Sequence, residues 1–396
     1  MKDIVIIANF VAALDGGANS RFTYLAERLT SENNVELVTS DFSHGNKKPR
    51  TIDFSRFPYK VTLLYEPGYS KNVCLQRFRS HKIWGNNVKA YLANRKKPDV
   101  IYCAVPSLTA ASYAADYCNV NNIKFIIDIQ DLWPEAFQMV FNIPVISTIV
   151  FGPFNRLANK IYSSADEIVA VSKTYAKRAS SVSKKCKVGH TVFLGTQLTT
   201  FDANKMLNPA IEKYNDEFWI GYCGSLSASY DIPLVIHAIN NLSKLGTYNI
   251  RFVVMGDGDR KEEFMRIAKE MKVNCSFTGR LPYEIMCATL NQCDIVINPI
   301  LGGSAASIIN KHADYAASGK PLLNTQDSVE YRELVDKYDM GYNCVNGNIE
   351  DLTEKLKMLL DNASRREIMG INARRCAEEK FDRTYTYQEL VDIIIN

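Results

Sequence analysis

Patterns that announce disulfide, metal or membrane-spanning chemistry are missing from this chain. Ten cysteines stand at 74, 103, 118, 186, 223, 275, 287, 293, 344 and 376, with no CxxC pair and mostly inside apolar runs. They are expected as small reduced core residues, which excludes a disulfide framework and a zinc site. The five histidines show no ligand spacing, so neither metal nor cofactor is expected. No window has the composition of a disordered or low-complexity segment, and no repeat recurs at solenoid periods. The longest apolar run, "AFQMVFNIPVISTIVFGPFNRL" (136–157), is broken by Pro144, Pro153 and polar residues; it suits an interfacial element or interdomain core, and argues against a spanning helix. At the N-terminus "MKDIVIIANFVAALDGG" meets Asp15 and a glycine pair where a leader needs a cleavage site. It reads as a strand, and a cytoplasmic location is expected.

What is present is the material of two cores. The 396 residues are 46% apolar and 23% charged, more than one hydrophobic core usually serves. The net charge of +4 is unevenly placed: from Asp41 to Pro98 thirteen Lys or Arg face three acids. Along the chain, short β-rich runs alternate with helical ones. "DIVIIAN", "VELVTS", "KVTLLY", "DVIYCAV", "KFIIDI" and "EIVAVS" are read as strands, the last closing the series. The pattern restarts with "EFWIGYCGS", "IRFVVMGDGD", "CSFTGR" and "CDIVINPI". Apolar strands alternating with helices predict parallel sheets covered on both faces, an α/β fold of two doubly wound, Rossmann-like domains. The boundaries are placed at 1–190 and 191–375, with 376–396 a closing helix returning to the first domain.

In such sheets ligands bind beyond the carboxyl ends of the strands, and four such ends carry suggestive residues. Gly16 and Gly17 precede a helix that bears Arg21 on its first turns, an arrangement open to an anion or to an ordinary connection. In "IIDIQDLWPEAF", Asp128, Asp131 and Glu135 flank a Trp-Pro corner, where a carboxylate against Trp133 is a candidate base or cation stabiliser and Asp131 is equally an N-cap. "GYCGSLSASYDIP" and "VVMGDGDRKEEF" place Gly224, Ser225, Gly256 and Asp257 where backbone can approach a diphosphate; "GDGD" is not the dinucleotide fingerprint. Finally, "GGSAASIINKHADYAASGK" offers Gly303, Ser304, Ala305 and Ala306 as main-chain donors, Lys311 as a cation for phosphate and Asp314 as an acceptor for a ribose diol.

In this order the pieces resemble retaining glycosyltransferases of family 4, which have the GT-B fold of two Rossmann-like domains facing across a cleft. The matching stretches are the Gly-Gly-x-x-x-Arg loop (Gly16, Gly17, Arg21), "DLWPE" (131–135), "SADEIVAVS" (164–172), "GYCGSL" (221–226), "GDG" (256–258), "FTGRLP" (277–282) and "NKHADYAASGKPLL". The resemblance implies a nucleotide-sugar donor, most often UDP-linked. It implies that Asp314 holds the ribose, that loop 302–306 meets sugar and phosphate, that Arg280 lies by the base, and that Gly16 and Gly17 meet the diphosphate. The sequence departs from the family at the first acid of its E-x7-E element, where Ala306 stands, and lacks the Arg and Lys usual after the first strand of the second domain. Lys311, Arg21 and Arg260 are left to neutralise the leaving diphosphate, and Asp131 to position groups near the sugar carbon. The basic, aromatic stretch with Phe54, Phe57, Tyr59, Tyr65, Tyr69, Phe78 and Trp84 suits an anionic membrane surface and a lipid-diphosphate-linked acceptor. The expectation is therefore a peripheral inner-face enzyme of capsule or O-antigen synthesis, with no nucleic-acid partner. A nucleotide-sugar 2-epimerase and a donor-binding scaffold are the alternatives.

Overall fold

The computed structural model describes residues 1–15, 20–71, 74–135, 144–303 and 308–396. The chain divides into two compact units, Met1–Phe193 with Tyr387–Asn396, and Leu194–Thr386. Only the last ten residues, beginning at Tyr387, rejoin the first unit, a shorter returning segment than 376–396.

The first unit is built on a seven-stranded sheet in the order Lys60–Leu64, Asn34–Ser40, Asp3–Ile7, Val100–Val105, Lys124–Ile129, Glu167–Ala170, His190–Thr191. Every neighbouring pair is parallel. Its central strands are apolar on both faces because helices cover both. The series does not close at Glu167–Ala170: His190–Thr191 pairs beyond it, too short for any hydrophobic period to show. Ser20 starts the helix Arg21–Thr30 by accepting from Thr23 N–H, and Ser172 does the same for Lys173–Ser180. Of the apolar run 136–157, residues 136–143 lie outside the described residues and the remainder falls in the helix Pro144–Ser164. Among the described residues no helix is long and apolar enough to cross a membrane.

The second unit has a six-stranded, all-parallel sheet ordered Cys275–Gly279, Ile250–Met255, Phe218–Cys223, Ile295–Asn298, Leu322–Asn324, Gly341–Asn343. Its core joins Ile220, Tyr222, Phe252, Val254, Ile295 and Ile297 to the helices Ile232–Ser243 and Ile349–Asp361. In both units the first strand lies between the second and the fourth, so connections leave it in opposite directions. Beyond its carboxyl end lies the switch point where doubly wound folds bind ligands.

Candidate functional site

At the switch point of the second unit the loops after Phe218–Cys223 and Ile250–Met255 lock together through their backbones. Gly224 N–H donates to Met255 O (3.0 Å) and Leu226 N–H to Asp257 O (2.9 Å). A Cβ on Gly256 would lie 1.8 Å from the Gly224 carbonyl oxygen, and one on Gly258 2.2 Å from that of Leu226. Gly256 is therefore a close-approach glycine between the two loops. Ser225 and Asp257 are exposed; the Ser225 carbonyl accepts from Tyr222 Oη (2.6 Å), and Asp257 Oδ1 accepts from Gly258 N–H (2.9 Å).

Lys311 comes to this point from the helix Asn310–Ala317. Its residue is 8% exposed, and its ammonium lies 4.5 Å from the ring centroid of Tyr222 and 3.9 Å from that of Tyr230. Its only hydrogen-bond contact among the described residues is Tyr222 Oη at 3.5 Å, and no carboxylate there pairs with it. Burial lowers its pKa to about 7. Gly224, at φ +147°, makes the seat: a Cβ there would stand 2.9 Å from Lys311 Nζ. The other two candidate cations are engaged. Arg260 pairs with Glu263 (Nε to Oε2 2.7 Å). Arg21 in the first unit is buried, donating to Asp128 Oδ2 (2.6 Å) and to the carbonyls of Val192 (2.8 Å) and Phe193 (3.2 Å). Asp128 also accepts from Tyr102 Oη (2.7 Å) and Gln130 Nε2 (2.9 Å). Arg21 is thus buried between strands, with Nε and Nη1 engaged and Nη2 without a hydrogen-bond partner among the described residues.

Asp314 lies one turn along from Lys311. Its Oδ1 accepts from Tyr283 Oη (2.8 Å), which in turn meets Thr196 Oγ1 (2.8 Å). Burial raises its pKa to about 6 against the pull of that hydrogen bond. Between these two residues His312 is structural: it stacks on Tyr331 (3.6 Å, 7°) and takes the Ile309 N–H on Nδ1 (3.2 Å), capping its own helix. Arg280 is exposed directly after Cys275–Gly279, and Gly303 is exposed at φ +73°. Gly16, Gly17, Ser304, Ala305 and Ala306 lie outside the described residues. In the first unit Asp131 Oδ2 accepts from Trp133 Nε1 (3.2 Å), and burial raises its pKa. Glu135 pairs with Arg178 (2.7 Å).

Sequence reasoning missed the residues that hold this region still. Three adjacent strands each end in asparagine, and their side chains form a ladder: Asn298 Nδ2 donates to Asn324 Oδ1 and Asn324 Nδ2 to Asn343 Oδ1, both at 2.9 Å. Asn346 binds the loop beyond, accepting from Gly302 N–H (2.8 Å) and donating to the Ile300 and Thr325 carbonyls (2.7 Å each). The repeated strand-terminal Asn was the available signal. Among the described residues no group of three His, Cys, Asp or Glu could hold a metal ion.

Residues 204–376 match the family described as Glycosyl transferases group 1. The capsular polysaccharide biosynthesis glycosyltransferase CapM of Staphylococcus aureus is 23% identical over 236 residues, which span 57% of this chain and 60% of that relative's length. Two solved structures align along nearly the whole chain. Anabaena HepE in complex with UDP has a TM-score of 0.70 at 14% identity, covering 99% of each chain. Sucrose-phosphate synthase from Thermosynechococcus elongatus has a TM-score of 0.72 at 15% identity, covering 99% of this chain and 98% of that one. The chain accordingly has the α/β fold of the GT-B glycosyltransferases, and residues 204–376 carry the group 1 match.

Proposed function

We propose that the protein is a retaining glycosyltransferase of family 4. It moves a hexose or N-acetylhexosamine from a UDP-sugar to a lipid-diphosphate-linked glycan, in the synthesis of a capsule, O-antigen or exopolysaccharide, as a peripheral protein of the inner membrane face. The observation that carries this reading is Lys311: a buried ammonium, held by two tyrosine rings and no carboxylate among the described residues, at the switch point of a group 1 segment. CapM's description and the UDP held by HepE support the choice of polysaccharide and nucleotide.

In the proposed reaction the sugar C1–O bond breaks, its electron pair leaves with the β-phosphate oxygen, and the sugar passes through an oxocarbenium-like state. Charge therefore grows on the diphosphate, where a cation in a water-poor seat acts most strongly. Lys311 and main-chain amides of the loop around Gly303 supply that stabilisation, without metal or cofactor. Asp314 takes the ribose hydroxyls, with Tyr283 fixing one carboxylate oxygen. The acceptor attacks from the face the diphosphate leaves, its proton passes to phosphate, and Asp131 positions the reacting groups. Release of UDP from a panel of UDP-sugars, followed with and without a lipid-diphosphate glycan, tests the reading. Acceptor-dependent release that collapses in Lys311→Met is expected. Release independent of acceptor identifies an epimerase, and binding without any release a scaffold.

A further inference from the structure

The first unit holds a second concentration of chemistry that the proposed donor contacts leave unused. Phe10, from the loop after Asp3–Ile7, meets His44 and His81 with ring centroids 4.8 and 5.5 Å away. His81 comes from the helix Leu75–Asn94 and stacks on Trp133 (5.2 Å, 4° between planes). The guanidinium of Arg77, from the same helix, lies 4.6 Å from the Trp133 centroid and 5.6 Å from those of Phe10 and Tyr69. Lys47 stands 4.6 Å from the Tyr69 centroid and 3.3 Å from His44 Nδ1. Three acids lie nearby: Glu66, which accepts from Asn9 Nδ2 (3.0 Å) and Ser80 Oγ (2.7 Å) and whose charge acts on Lys47 and Arg77; Asp131, which accepts from Trp133 and acts on Arg77; and Asp41, which accepts from Glu66 N–H (2.7 Å).

His81 is 4% exposed, and neither of its ring nitrogens has a hydrogen-bond partner among the described residues. Burial, with Arg77 and His44 beside it, drops its pKa to about 3, so the ring is neutral and carries one N–H. A buried N–H without an acceptor is costly, and an ordered water or a bound ligand is what can answer it. His44, its pKa also about 3 through burial and the charges of Lys47, Arg77 and Arg50, is neutral too. What answers an N–H set among Arg and Lys is an oxygen-rich anion. Beside the cluster, and sharing Lys47 and Tyr69 with it, opens a cavity of about 750 Å³ that Arg79 also lines.

We propose that Arg77, His81 and Lys47 form an anion site that binds the phosphate or diphosphate group of the acceptor substrate, with Trp133 and Tyr69 as its walls. The word acceptor rests on the glycosyltransferase reading; the anion site does not. The test is calorimetric titration of the full chain with inorganic pyrophosphate in the presence of saturating UDP, for the parent, Arg77→Gln, His81→Phe and Lys311→Met. The expected result is saturable binding that weakens about tenfold or more in Arg77→Gln and His81→Phe, and persists in Lys311→Met. His81→Phe keeps the stack on Trp133 and should melt no lower than the parent, so its loss of binding is not a loss of folding. Flotation with phosphatidylcholine vesicles carrying either a polyprenyl diphosphate or phosphatidylglycerol separates the sources. Capture by the diphosphate lipid alone assigns the site to a lipid headgroup, and pyrophosphate binding with no vesicle capture assigns it to a soluble phosphate. Pyrophosphate bound equally by parent and both cluster variants, or equal capture of all of them by phosphatidylglycerol, overturns the proposal. Failure of the donor reading shows separately, as a parent that does not bind UDP.

Discussion

A lysine kept in a protein interior without a carboxylate holds its charge poorly, and Lys311 should show this in how UDP binding responds to pH. Its pKa of about 7 lies below the ordinary lysine value of 10.5, because burial penalises the ammonium. An anion that binds the ammonium restores its proton. UDP affinity should then fall as pH rises above about 7, roughly tenfold per unit while one proton is taken up on binding. Titrations in buffers of different ionisation heat check the proton count. In the absence of UDP the sign is opposite: between pH about 7 and 10.5 the unfolded chain binds more protons at this residue than the folded one, so its contribution to stability rises with pH. Arg21 behaves differently, since it is buried in an ion pair with Asp128. Arg21→Met leaves that carboxylate uncompensated and should lower unfolding free energy by about 3–5 kcal/mol in urea titrations. A change that spared stability but abolished UDP binding would instead restore Arg21 to the donor contacts.

Among the elements, the paired loops of the second unit depend on the absence of one side-chain atom. A methyl group at Gly256 must displace the Gly224 carbonyl and with it the seat of Lys311. Gly256→Ala should cost roughly 1–3 kcal/mol of stability, as overpacking does, and should weaken UDP binding as well; melting temperature and titration report the two effects. Gly303→Ala meets no atom of the described residues within 4 Å, and its φ of +73° is the strain they show, so it should do less to folding. The strand-and-helix alternation was legible because each buried strand is a continuous apolar run, and the residues at the strand ends were legible as glycine and polar clusters. Which of those residues touch was not. Arg21 finds Asp128 at a separation of 107 residues, and Lys311 finds Tyr222 at 89. No local pattern encodes such contacts. The strand His190–Thr191 was hidden for a different reason, having two residues and no period.

For the whole molecule, the chain begins and ends in the same unit. Tyr387, Leu390 and Ile394 are fully buried in the core that also holds Tyr24, Leu25 and Leu29. Removing residues 387–396 should therefore destabilise the first unit by about 5 kcal/mol or more, at about 1.5–3 kcal/mol for each large apolar side chain uncovered. Hydrogen exchange should accelerate across Arg21–Thr30 and stay slow across Phe218–Cys223, whose core belongs to the other unit. Uniform acceleration in both would mean that the two units unfold as one. The division into two doubly wound units was legible from the restart of the alternation after 216. The return of the chain at 387 could be read only roughly, because a closing helix carries no mark of which core it will join.

The claim on which the rest depends is that Lys311 meets the diphosphate of the nucleotide. Calorimetric titration of UDP into the parent protein and into Lys311→Met at neutral pH measures this directly. Loss of a charge-assisted contact, about 1.5–3 kcal/mol, should weaken UDP roughly tenfold to a hundredfold, while the variant, relieved of a buried ammonium, melts no lower than the parent. A Lys311→Met protein that binds UDP within about twofold of the parent would contradict the assignment.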